Sequence, residues 1–234
     1  MVIPEDRSIY DLTVKELLGR PLNDVEQKFA PNMLHIKGSM ETPLLSPRVS
    51  IVGSRKASAE ALEHSKMITK ALTRIGVVIV SGLAEGIDTS AHIAAMEEGG
   101  KTVAVLGTPL NKTYPKKNFN LQQEIMRNHL AISEFQIGQP TRPKDFVLRN
   151  RTMALISDVT IIVEATDESG SRHQGWEALR LGRPLFIWKL NFNKPEVNWP
   201  KDMLKYGAIE LSDPEDVLES LPSSRLPEML NLLS

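Results

Sequence analysis

Residues 77–92 read VVIVSGLAEGIDTSAH, and this run decides the fold. Val77 to Val80 is a short apolar, β-branched stretch with the character of a buried strand. Gly82 and Gly86 punctuate the turn behind it, and Asp88 or Thr89 is placed to cap a helix that runs through the alanines to Met96. Strand, glycine turn and helix N-terminus together make a site for an anion. Backbone N–H groups point outward, the helix dipole is positive at that end, and glycine lets a ligand approach the backbone. The spacing matches neither the GxGxxG dinucleotide fingerprint nor the GxxxxGK[ST] phosphate loop. A binding turn is expected, but not an ordinary NAD or ATP site.

The same alternation extends on both sides. VSIVG (49–53), TVAVLG (102–107), LAISEF (130–135), VTIIVEA (159–165) and PLFIWKL (184–190) read as further strands. Helices are expected over 58–75, 88–98, 121–129, 146–157 and 173–182. Continuous apolar strands separated by helices imply an α/β domain whose mostly parallel, doubly wound sheet is covered on both faces, as in Rossmann-like folds. Upstream, residues 1–40 read as a short, poorly patterned extension with a helix at 14–18 and a strand at 33–38. METPLLSP (40–47) reads as a linker, so the α/β domain is placed at 41–220. NFNKPEVNWPKD (191–202) reads as a polar excursion, DPEDVLESLP (213–222) as a short helix, and 221–234 as a C-terminal tail.

Composition narrows the function classes. A chain of 234 residues with 41% hydrophobic residues suits one globular α/β domain with extensions. The net charge of −1 means that any polyanion site is a local patch rather than a global field. With 0 cysteines, disulfides and thiolate metal sites are excluded. The N-terminal MVIPEDRSIYDL lacks a signal-type apolar stretch, and no run approaches the roughly 20 apolar residues that span a bilayer. A soluble cytoplasmic protein with no membrane partner is expected.

Ligands of doubly wound sheets bind beyond the carboxyl ends of the strands, so the turns there hold the candidate site residues. GSRKAS (53–58) offers Gly53, Ser54, Arg55 and Lys56; cations at a helix start are unfavourable unless an anion is bound. The opening run offers Ser81 and Gly82. The fourth loop places Arg142, Lys144, Arg149 and Arg151 close together, with Phe146 and Asn150 among them. Such cations neutralise phosphates, and an aromatic ring stacks on an unpaired base. Arg149 and Arg151 do not share a helix face, so one is expected to reach the ligand while the other pairs with Glu134 or Glu164. Ser169, Gly170 and Ser171 form a hydroxyl-bearing turn before a helix, diluted by Asp167 and Glu168. Asp88 and His92 read as helix-start architecture. No Ser-His-Asp order, HExxH or acidic metal cluster is present, so no catalytic or metal-binding residue is assigned.

In order, IVGSRK (51–56), VSGLAEGIDTSAH (80–92), GGKTVAVLGTPLNKTYPKKN (99–118), ISE (132–134), FVLRNRTMALIS (146–157), IVEATDESGS (162–171) and EALRLGRPLF (177–186) resemble the DprA/Smf family of DNA-processing proteins, from about Leu34 to about Ile187. The resemblance implies an extended Rossmann-like three-layer sandwich that binds single-stranded DNA, protects incoming strands during natural transformation and helps load the RecA recombinase. It implies a homodimer, no cofactor and no enzymatic activity. Carried over, the DNA pocket holds Arg55, the Ser81–Gly82 turn, and Phe146 with Arg149 and Arg151; Lys144 is a further candidate. The chain departs from the family after SGS, where Arg172, His173, Gln174, Gly175 and Trp176 stand in place of a Leu-Ile-Thr-Ala-like helix start. It is also expected to lack the winged-helix domain of many members. The alternative is a nucleotide-binding sensor or nucleoside-phosphate hydrolase of the superfamily that joins DprA to the LOG enzymes. The PGGxGTxxE-like loop of the enzyme relatives is missing here.

Overall fold

The computed structural model describes residues 8–193 and 197–222. Its nine-stranded sheet has the order β1-β2-β6-β5-β4-β3-β7-β8-β9. The strands are β1 (Tyr10–Leu12), β2 (Leu34–Gly38), β3 (Arg48–Val52), β4 (Val78–Ser81), β5 (Thr102–Leu106), β6 (Leu130–Ser133), β7 (Val159–Ile162), β8 (Leu185–Trp188) and β9 (Ile209–Leu211). From β6 to β9 all pairings are parallel, whereas β1 and β2 add to the β6 edge in antiparallel fashion. The helices are α1 (Val14–Leu18), α2 (Asp24–Phe29), α3 (Ala59–Arg74), α4 (Ile87–Glu97), α5 (Phe119–Asn128), α6 (Pro143–Ile156), α7 (Gly170–Arg180) and α8 (Trp199–Leu204). The doubly wound α/β architecture expected from the strand-helix alternation is the one observed.

Every residue of β3 to β8 is buried, as a parallel sheet covered on both faces requires. Alternate residues serve opposite layers. Val49 and Ile51 of β3 pack with Ile68 and Leu72 of α3 and Ala91 and Ala95 of α4. Val52 joins Val80, Val105 and Ile162 beneath Met153 of α6 and Ala178 of α7. A buried Arg48–Asp158 pair, with Nη2 and Oδ1 at 2.9 Å, ties the start of β3 to the turn before β7. The chain runs from β3 outward to β4 on one side and later returns to β7 on the other. The β3/β7 boundary is therefore the point where the winding direction changes, and a crevice opens there.

Several expectations shift. The segment read as an N-terminal extension supplies β1 and β2 to the same sheet, because LHIKG alternates buried and half-buried residues and pairs with β6. Asp88 does not cap α4. Gly86, with φ of 75°, is the N-cap and Asp88 lies inside the first turn. The sixth helix starts at Pro143 rather than Phe146, since proline at the first helical position is favourable there. α8 begins within the segment read as a polar excursion, and β9 follows it. Residues 214–220 form a 3₁₀ helix. The tail is described only at Leu221, which is buried, and Pro222; residues 223–234 lie outside the described part.

Candidate anion-binding cleft

A cleft of about 990 Å³ opens beyond the carboxyl ends of β3 and β7. Five segments build it: the turns after β3, β4 and β5, the start of α6, and the turn from β7 into α7. Of the expected residues, Gly53, Ser54, Arg55, Lys56, Phe146, Arg149, Asn150, Ser169, Gly170 and Ser171 line it. The β3 turn is fixed by its own backbone: Ser54 N–H donates to Glu164 O at 2.7 Å, and Ser54 Oγ accepts from Lys56 N–H at 3.1 Å. This fold of the chain turns Arg55 and Lys56 outward, where both are exposed.

Arg149 forms the floor. It is only 5% exposed. Nη1 donates to Gly82 O and, at 2.9 Å, to Val105 O; Nε donates to Asn150 Oδ1 at 3.1 Å. Gly82 has to be glycine, because a Cβ there would overlap the guanidinium and lie 2.8 Å from Asp88 Oδ2. Asp88 accepts from Gly82 N–H at 3.1 Å and Ala84 N–H at 3.3 Å, so it braces the turn beside the arginine. Burial lowers the Arg149 pKa against the pull of Asp88, and Arg55 lowers it further. Burial likewise raises the Asp88 carboxyl, with Arg149 opposing. An anion in the cleft relieves the repulsion between Arg55 and Arg149.

Phe146 forms a wall. Its ring lies against Gly107, where a Cβ would come within 2.5 Å of Cδ1, and meets Tyr114 at 5.1 Å between centroids. Tyr114 is 52% exposed. α7 is tied to α6 beside the floor: Asn150 Nδ2 donates to Gly170 O at 3.2 Å, and the Gln174 amide, in the orientation that satisfies both its atoms, bridges Asn150 O and Ala154 N–H. Ser169 is the N-cap residue of α7 but makes no side-chain cap; its hydroxyl accepts from Thr166 N–H at 2.8 Å. The Ser171 hydroxyl is buried without a partner.

Four expected residues do not line the cleft. Ser81 is fully buried and donates to Ile51 O at 2.7 Å, because the strand turns its side chain into the sheet. Gly82 lies behind Arg149 rather than on the surface. Lys144 is exposed on α6 outside the lining. Arg151 faces away, pairs with Glu177 at 3.1 Å and sits over the Phe29 ring at 5.1 Å. Its partner is thus neither Glu134 nor Glu164; Glu164 instead accepts from Ser58 N–H at 2.9 Å, at the N-cap of α3. Arg142, named in the fourth-loop cation cluster, lines the cleft, and so do Lys112, Tyr114 and His173, which had not been assigned to it. LNKTYPKK (110–117) carried the signal: cations interleaved with an aromatic, just past a parallel strand. In the divergent α7 start, Arg172 turns back onto Asp167 and Gln174 is buried, which leaves His173 exposed to the cleft.

The class these features define is an α/β protein with a doubly wound sheet and a cation-floored cleft at its switch point. The chain belongs to the DNA recombination-mediator protein A family, which it matches over residues 19–222. It is 41% identical over 157 residues to DNA processing protein DprA of Streptococcus pneumoniae, covering 67% of this chain and 55% of that one. It is 31% identical over 192 residues to DNA processing protein DprA of Bacillus subtilis, covering 82% of this chain and 65% of that one. The chain thus spans between about half and two thirds of the length of these curated relatives. The crystal structure of the S. pneumoniae protein superposes with a TM-score of 0.78 at 32% identity, covering 93% of this chain and 76% of that one. A Helicobacter pylori DprA structure, described by its single-stranded DNA binding mode, gives 0.74 at 27% identity, covering 90% and 94%. The family inferred from the seven ordered motifs is confirmed, and so is its fold. Among the described residues no helix is long and apolar enough to cross a membrane.

Proposed function

We propose that the cleft binds single-stranded DNA without sequence preference, and that the chain acts as a DNA-processing protein in DNA uptake and recombination. One observation carries the reading: Arg55, Lys56, Lys112 and Arg142 surround the cleft, make no ion pair among the described residues, and converge on the buried Arg149 beside the Tyr114–Phe146 rings. Unpaired cations neutralise the backbone, and rings accept unstacked bases, which a duplex does not present. The described residues hold no group of three or more His, Asp or Glu placed for a metal, and the cleft carries no paired nucleophile and base; binding rather than catalysis is the role assigned. Protection of incoming strands in natural transformation, assistance to RecA loading, a homodimer and a cytoplasmic location complete the reading, and family membership is their support.

Fluorescence anisotropy with a labelled single strand at two salt concentrations tests it. Unlabelled single strands of unrelated sequence compete, duplex does not, and affinity falls as salt rises. Equal competition by duplex, or binding indifferent to salt, overturns the reading. Thermal stabilisation by mononucleotides without any by oligonucleotides favours the nucleotide-sensor or hydrolase alternative.

A further inference from the structure

We propose that the floor of the cleft is a phosphate-monoester site, so that the chain engages a single strand by a phosphorylated end. The proposal rests on the single-strand reading and adds to it the part of the strand that is recognised.

Three unsatisfied groups meet at the floor. Arg149 is 5% exposed, lines the cleft and commits Nη1 and Nε to protein oxygens, but its Nη2 has no protein partner. α7, eleven residues long, points its N-terminus at the same place without a side-chain cap. Ser171 in its first turn lines the cleft, and its buried hydroxyl has no partner. The Asn150–Gly170 hydrogen bond fixes these groups to one another, since Asn150 follows Arg149 in α6 and Gly170 precedes Ser171 in α7. A helix N-terminus and a guanidinium with a free edge together demand a compact, multiply accepting anion.

A terminal phosphate fits this demand better than an internal one. It carries about −1.5 to −2 charge at pH 7 and three acceptor oxygens, whereas a diester has a single charge and two non-bridging oxygens. An internal phosphate also needs an exit for each of its two ester arms. The inner side carries the Gly82 and Val105 carbonyls that hold Nη1, acceptors that offer no donor to a further ester arm. The remaining strand leaves past the Tyr114–Phe146 wall and the rim cations.

Anisotropy competition with one sequence in five forms tests the proposal: linear with a 5′-phosphate, with a 3′-phosphate, with both ends hydroxyl, circular, and the free nucleoside 5′-monophosphate. At least one phosphorylated end binds tenfold or more tighter than the hydroxyl-ended strand, and the circle competes no better than the latter. The two phosphorylated forms say which end is held. The monophosphate competes more weakly than the phosphorylated strand; a monophosphate as strong as the strand shows that a free nucleotide is the ligand and overturns the strand-end proposal. Ser171→Ala narrows the ratio between phosphorylated and hydroxyl ends at least threefold, with a melting curve as the check on folding; the five-ligand comparison needs no variant. Equal affinity for all linear forms and the circle overturns end recognition while leaving single-strand binding intact. Failure of every single strand to bind overturns both.

Discussion

Arg149 serves the fold and the site at once, and its neighbours divide the two roles. Its buried guanidinium holds Gly82 O and Val105 O, so Arg149→Met leaves two buried carbonyls unsatisfied and costs about 2–6 kcal/mol of stability, read by urea denaturation. Arg55 is exposed and makes no ion pair among the described residues, so Arg55→Ala changes stability by less than about 0.5 kcal/mol but weakens single-strand binding across all sequences, measured by anisotropy. A result with both variants equally stable refutes the division. His92 shows a different residue-scale logic. The Thr102 hydroxyl donates its one hydrogen to Ile79 O at 2.9 Å, so at 2.7 Å it accepts from His92 Nδ1–H. That fixes the tautomer and leaves Nε2 buried without a partner. Burial first, then the charges of His129 and Arg149, lowers the His92 pKa from 6.5 to about 3. The unfolded chain then binds more protons than the folded one between those values, so this group's contribution to stability is complete above pH 6.5 and is lost as pH falls toward 3. His92→Leu should flatten that acid limb, whose slope from one proton is at most about 1.4 kcal/mol per pH unit. Denaturant midpoints between pH 4 and 7 check it; an unchanged slope removes His92 from the account.

At the scale of elements, the edge of the sheet that carries the candidate cleft was legible because its rule is geometric. β3, β5 and β7 are continuous apolar runs, so their carboxyl ends, and therefore Arg55, Lys56 and the Ser169–Ser171 turn, are located without any tertiary knowledge. The 3.6-residue period likewise separates Arg149 from Arg151. The partner of the outward arginine was not legible, since Glu177 lies on α7 and Phe29 on α2, and only packing brings them to α6. The same reason hid β1, β9 and α8, which are short and depend on neighbours for their burial. These contacts make the N-terminal elements part of the site's scaffold. Glu26 of α2 is 1% exposed and meets Arg20 at 2.7 Å and Arg183, which follows α7. Phe29 covers both Arg151 and Arg180. Glu26→Ala should cost stability near the lower end of about 3–5 kcal/mol, because Arg20 and Arg183 are part-exposed and regain water. Hydrogen exchange then rises first in α2 and at the end of α7. Protection loss that begins instead in α3 or α4, on the opposite face, contradicts this coupling.

For the whole molecule, a net charge of −1 and a polyanionic ligand are compatible only if the field is local. Screening makes it so: at physiological ionic strength charges act over about 8 Å, so acids on the far faces of the sheet do not cancel the cations of one cleft. Around it stand Arg55, Lys56, Lys112 and Arg142, with Arg149 at the floor and Glu168 as an exposed opponent. If all five cations neutralise a phosphate, the slope of log K against log salt for a single strand approaches about −3.5, from about −0.7 per phosphate. Affinity then falls roughly 100-fold between 50 and 200 mM salt. Glu168 reduces the effective charge, so Glu168→Gln should raise affinity at low salt and leave it nearly unchanged at high salt, where the rim is screened. Arg55→Ala should make the slope shallower by about 0.7, whereas Arg151→Ala, on the opposite face of α6, should leave it unaltered. Titrations of these three variants at four salt concentrations separate a cleft-bound strand from general surface attraction. If Arg151→Ala changes the slope as much as Arg55→Ala, the strand lies on the α6–α7 outer face and not in the cleft at the switch point.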